Sequence, residues 1–234
     1  MENLLRDYRV QVERNDLFRA LGYPHASRVS PPVRAICLQQ LARLDQLAEP
    51  WGSCRELLID GIERERVSLR SGVILNGRRI AGLLRHATAV QLCLVTLGDP
   101  ITAEIRRLLA SDQAIQALAL DAAASAATHA LIAHLRERIC TQAAQHACGA
   151  TIPYGPGYTG WDIHDLPALL SCFTGGDDAP PVRLNAQCML LPEKSLVCVI
   201  GIVPGMKESQ QDVTPCRLCD LTTCSLRQVS SRGR

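Results

Sequence analysis

The stretch TPCRLCDLTTCSLR places Cys216, Cys219 and Cys224 at C-x2-C-x4-C spacing. Two cysteines separated by two residues can bind one metal ion from a single turn, and a third a few residues on closes most of a tetrahedral site. The fourth position is open to another cysteine, to His164, to water or to an exogenous ligand. An iron–sulfur cluster there would be redox-active, zinc would be structural, and unmetallated thiols are the third reading. The other cysteines sit mostly alone in apolar stretches, as Cys37 in AICLQQL, Cys93 in QLCLVTL and Cys198 in LVCVIGI, where cysteine behaves as a small hydrophobe. Eleven cysteines are an odd number, which argues against a disulfide framework in a reducing compartment.

A second unusual stretch is IPYGPGYTGW, residues 152–161. It holds two of the four tyrosines and one of the two tryptophans, although aromatic residues make up only 3% of the chain. Glycine and proline punctuate turns, so rings in such a loop can simply anchor it over a core. The alternative is a ligand cradle, with glycines admitting a ligand to the backbone and rings covering its flat parts. The residues alone leave both readings open.

These groups need elements to position them. Residues 1–24 read as a helix running into LGYP. Ser30 as a cap and Pro31 in the first turn start an amphipathic helix that ends near Pro50. RERVSLRSGVILNGRRI reads as short strands broken by Ser71-Gly72 and by the tight-turn signal Asn76-Gly77. AVQLCLVTLG is a buried strand, Gly98-Asp99-Pro100 opens a helix, and Ser111-Asp112 opens a second one, over roughly residues 112–147. That helix is the longest element, with a small-residue face at Ala122 to Ala127, and should run through the centre of the fold. DIHDLPALLSCF is a short helix, and AQCMLLPEKSLVCVIGI is a hairpin turning at Pro192-Glu193-Lys194.

The chain of 234 residues is 47% hydrophobic, enough for a sizeable core, and its formal net charge of +2 gives no field suited to nucleic acid. The apolar tract around Ala114 to Leu135 is interrupted by Asp121 and His129 and is built mostly of alanine, so no membrane span is expected. With no signal-peptide pattern at the start, the expected location is the cytoplasm. Residues 1–205 form one expected domain, and residues 206–234 a cysteine-containing segment with a basic tail. No serine, cysteine or threonine is paired in the sequence with a recognisable general base, so an accessory component is expected rather than a complete enzyme.

In order along roughly residues 20–205, the stretches LGYP, LVTLGDPITAEI, LDAAASAATHALIAHLRERI, PGY and MLLPEKSLVCVIGI resemble the activation domain of cobalamin-dependent methionine synthase, especially its small stand-alone relatives. The resemblance implies an α+β fold: a twisted antiparallel sheet with packed helices, one of them the long Ala-rich helix. It implies S-adenosylmethionine as ligand and a corrinoid-binding methyltransferase as partner. The cobalamin would stay on that partner, and a separate protein would donate the electron that reduces cob(II)alamin. It extends the cysteine cluster to Asp220 and Arg227.

The family's Arg-x-x-x-Gly-Tyr motif falls on residues 153–158. Gly157 and Tyr158 match, Tyr154 and Gly155 lie between, and Pro153 stands where the arginine belongs. That substitution removes a bidentate partner for a carboxylate. His129 occupies the approximate place of a family glutamate, and Asn185-Ala186-Gln187 that of Thr-Glu-Ser. The implied cofactor-binding set is therefore Tyr154, Gly155, Gly157, Tyr158 and His129, with the metal set at Cys216, Cys219 and Cys224. The departures leave a second reading: an iron–sulfur electron-transfer or scaffold subunit of a larger metalloenzyme that kept the fold and lost the methyl donor.

Overall fold

The computed structural model describes residues 4–5, 8–23, 25–173 and 179–206. The first helix, α1 (Arg14–Ala20), is shorter than the sequence suggested: residues 8–13 are not helical, and Gly22, at φ 86°, closes the other end. α2 (Pro31–Leu47) starts on its prolines as expected and buries Cys37, Gln40 and Leu44, although the Ser30 side chain makes no capping hydrogen bond.

The twelve-residue β1 (Trp51–Ile62) was not legible as a strand. Its RELLID stretch has no clean alternation, and its conformation comes from pairing with β4 (Ala89–Thr96) from Trp51–Thr96 through Leu58–Ala89. Between them in the chain lie β2 (Arg66–Leu69), β3 (Ile74–Asn76) and α3 (Arg78–Leu84). Gly72, at φ 85°, supplies the β2–β3 turn. Asn76-Gly77 is not a turn between strands, as its sequence suggested, but the junction of β3 with α3. A Cβ on Gly77 would stand 2.5 Å from the Gly160 carbonyl oxygen, so the helix starts in backbone contact with the aromatic loop.

α4 (Asp99–Ala110) follows Gly98, and α5 (Ala114–Gln145) follows in turn. The expected opening of α5 at Ser111-Asp112 shifts by two residues. The Ser111 hydroxyl donates back to the Arg107 carbonyl at 3.0 Å, and Asp112 takes φ 56°. After α5 come β5 (Cys148–Ala150), a 3-10 turn at Ile163–Asp165, α6 (Leu166–Ser171), β6 (Arg183–Leu184), β7 (Leu190–Leu191) and β8 (Ser195–Pro204). The expected hairpin of the MLLPEKS stretch is corrected: β7 pairs with the two-residue β6, while β8 lies between β4 and β5. The main sheet runs β3-β2-β1-β4-β8-β5, antiparallel throughout.

Both faces of β4 and β8 are covered, which is why these segments read as unbroken apolar runs. Val90, Leu92, Leu94, Val197 and Val199 pack with α3, α6 and the aromatic loop. Cys93, Val95, Cys198 and Ile200 pack with α4 and α5 on the other face. There the register aligns Cys54, Cys93 and Cys198 across three neighbouring strands, and the Cys54 thiol donates to Cys93 Sγ at 3.2 Å. α5 is covered on its outer side too, where Ala119, Ala122 and Ala123 receive Leu17 and Phe18 of α1 and Cys37 of α2. By length and composition alone α5 could cross a membrane, but 61% of its most apolar window is buried in this fold.

Candidate binding site at the aromatic loop

Thr151 to Gly155 run beside β8 beyond the end of β5. Thr151 N–H donates to the Gly201 carbonyl at 2.9 Å, and Tyr154 and Val199 exchange backbone hydrogen bonds at 3.0 and 2.9 Å. This places the Tyr154 ring in the core, 1% exposed, with its hydroxyl donating to the Thr159 carbonyl. Trp161 is 2% exposed and lies parallel to Tyr154, with ring centroids 6.3 Å apart. Its indole N–H donates to Asp165 Oδ2 at 2.8 Å. Asp165 also accepts from the Asn76 backbone N–H at 2.6 Å and from Asn76 Nδ2 at 3.0 Å. A buried carboxylate is thereby fully engaged, and the end of β3 is tied to the loop.

Two of the three rings are therefore pillars of the fold. Tyr158 is the exception: half-buried, it meets Tyr154 edge-on at 5.3 Å. Gly157 is exposed, at φ 88°, and its N–H donates to the Trp161 carbonyl at 2.9 Å. Gly155 is buried, and a Cβ there would stand 2.5 Å from the Val197 carbonyl oxygen. Close approach does require this glycine, but what approaches is the β8 backbone. Gly155→Ala is expected to destabilise the protein by about 1–3 kcal/mol through overpacking against a central strand, measured as a lower urea midpoint with an unchanged slope.

His129 does not join this group. Its side chain reaches solvent from α5, yet the surrounding packing desolvates the ring and holds its pKa below the ordinary histidine value, with the Asp16 carboxylate of α1 opposing this, whereas the loop belongs to the opposite face of the sheet. Pro153 is half-buried. Ala186 is exposed in the β6–β7 turn, where Asn185 Oδ1 accepts the N–H groups of Gln187 and Met189, each at 2.9 Å. Cys216, Cys219 and Cys224 lie outside the described residues. His164 is exposed, with Nδ1 2.6 Å from Asp162 Oδ1. Among the described residues no group of three or more His, Cys, Asp or Glu is placed to hold a metal ion.

The outer edge of the loop borders a groove of about 1330 Å³, formed with α3 and the end of β8. Arg78, Arg79, Arg85 and His86 line it together with Thr159 and Gly160, and Leu83, Val203, Pro204 and Met206 supply apolar walls. The described lining residues include no Asp or Glu. Met206 is fixed at this rim, because its Cβ lies 2.8 Å from where a Cβ on Gly149 would stand. From here the chain continues toward Cys216. Reading GRRI as strand hid the arginines of this groove, whereas the helical spacing of Arg78, Gly82 and Arg85 was the signal that could have revealed them.

No protein-family model and no curated protein sequence matches the chain. A crystal structure of the MetH reactivation domain bound to AdoHcy aligns with a TM-score of 0.62, over 84% of this chain and 75% of that one, at 13% sequence identity. The chain has the reactivation-domain fold. The expected α+β architecture, with its antiparallel sheet and long Ala-rich helix, is present. AdoHcy is the ligand of that reactivation domain, and at this identity the likeness establishes the fold alone.

Proposed function

We propose that the protein is an accessory component of a corrinoid-dependent methyltransferase system, one that docks on a separate corrinoid-binding methyltransferase and assists its reductive reactivation. The observation that carries this reading is the fold it shares with the MetH reactivation domain. The corrinoid and its chemistry belong to the partner, the electron comes from a separate donor, and the work is done in the cytoplasm. The part of this chain is to present a docking surface and to favour the partner's inactive state, since it can shift an equilibrium only by binding one state better than the other.

S-adenosylmethionine is the ligand class that accompanies this reading. Gly157 and Tyr158 form the accessible edge of the loop that would meet it. Pro153 and Ala186 stand where charged partners would hold its carboxylate and amino group, and each lost charge-assisted hydrogen bond costs about 1.5–3 kcal/mol. Two losses weaken binding roughly a hundredfold or more. The Cys216, Cys219 and Cys224 segment would carry an iron–sulfur cluster or zinc, its thiolates being the ligands.

A second reading, a metal-bearing scaffold or electron-transfer subunit, is favoured by one observation: Tyr154, Gly155 and Trp161 are taken up by core packing, which accounts for these residues without a ligand-binding role. Pull-down with a corrinoid-loaded methyltransferase separates the two. Stronger capture in the Cob(II) state than in the methylated state is the expected result, equal capture of both removes the activating role, and capture of neither leaves the scaffold reading.

A further inference from the structure

The groove beside the aromatic loop has a feature that packing does not require. Gly82 lies inside α3, where glycine weakens a helix relative to alanine. A Cβ built on it meets nothing within 4 Å, so neither a close contact nor a backbone strain calls for glycine there. Its place in the helix is between Arg78 and Arg85, one turn from each side, and all three line the groove. The missing side chain keeps open a floor flanked by guanidinium groups. His86 and Arg79 also line the groove, and the described lining residues include no carboxylate. The opposite wall is rigid, because Gly77 and Gly160 hold α3 and the loop in backbone contact.

We propose that this groove binds a phosphorylated small molecule of nucleotide class, with its phosphates between Arg78 and Arg85 over Gly82 and its ring against Leu83, Val203 and Pro204. Arginine suits phosphate because its planar fork can donate two parallel hydrogen bonds to the oxygens. The apolar walls explain why a bare inorganic anion would use only half of the site. S-adenosylmethionine fits poorly, since its sulfonium and ammonium outweigh its one carboxylate and would face the guanidinium groups of Arg78 and Arg85. The inference is independent of the corrinoid reading, as it rests on the groove and not on the shared fold.

The test is calorimetry on the full chain with ADP, inorganic pyrophosphate, adenosine and S-adenosylmethionine at low ionic strength. ADP is expected to bind more tightly than the other three. Arg78→Gln with Arg85→Gln should weaken ADP about tenfold or more, with thermal stability unchanged because both side chains are exposed. Gly82→Leu should fill the floor and cost ADP binding at least as much, while raising rather than lowering the melting temperature. Absence of ADP binding at millimolar concentration overturns the proposal. So does pyrophosphate binding as tightly as ADP, and so does unchanged ADP affinity in either variant. Failure of these arms would leave the pull-down result untouched, which keeps the two proposals distinguishable.

Discussion

Tyr154→Ala should lower the stability of the protein by about 3–5 kcal/mol, the cost of removing a fully buried aromatic side chain, whereas Tyr158→Ala should cost only about 1 kcal/mol, since its ring is half-buried and its main partner contact is edge-on. The contrast follows from position. Tyr154 is 1% exposed and packs in the same core cluster as Leu92, Leu94, Val197 and Val199, with Trp161 parallel to it. Its truncation opens a cavity under the loop and releases the Thr159 carbonyl. Tyr154→Phe separates the two contributions, because it keeps the ring and loses only the hydroxyl, at about 1 kcal/mol. Urea unfolding of the three variants measures them. Equal losses for Tyr154→Ala and Tyr158→Ala would show that the loop is held some other way.

The physics behind this contrast also marks what could be read from the sequence. Leu92 to Val95 and Val197 to Ile200 were legible as buried strands because a strand covered on both faces carries apolar residues at every position. The long helix was legible for a related reason, since alanines recur at every face that another element covers. β1 was not legible, because its conformation is imposed by pairing with β4 and its own residues alternate poorly. The β7 pairing was missed because both partners are two residues long and no periodicity exists at that length.

At the site, the aromatic density of residues 152–161 singled out this loop, but residue types could not say which side the rings would face. Burial resolves it: two rings turn inward, and the solvent-facing side belongs to Gly157, Thr159, Gly160 and part of Tyr158. The groove itself joins residues about 80 and 130 positions apart in the sequence, from Arg78 to Thr159 and Met206. Only the turn of α3 onto the loop brings them together.

The expected consequence of the C-x2-C-x4-C spacing is a shared metal phenotype: serine at any one of Cys216, Cys219 or Cys224 lowers bound metal, and the triple substitution removes it. Cys93→Ser should leave metal content intact and instead cost about 1–3 kcal/mol, because it puts a hydroxyl in an apolar layer. Cys93 is fully buried under α5, and its hydrogen bonding with Cys198, together with burial, holds its thiol well above the ordinary range. Burial likewise pushes the Cys37 thiol up. Thiolate is the metal-binding form, so cysteines held protonated are poor ligands, and the prediction falls on the three whose sequence surroundings are polar. A chain cut after Val213 should remain folded and lose its metal, because it retains every described element through β8 and Met206 where it packs on Gly149. Metal analysis of anaerobically purified protein, with visible absorption to separate iron–sulfur from zinc, measures all of these variants. Stoichiometric iron or zinc that survives the triple serine substitution would place the site elsewhere in the chain.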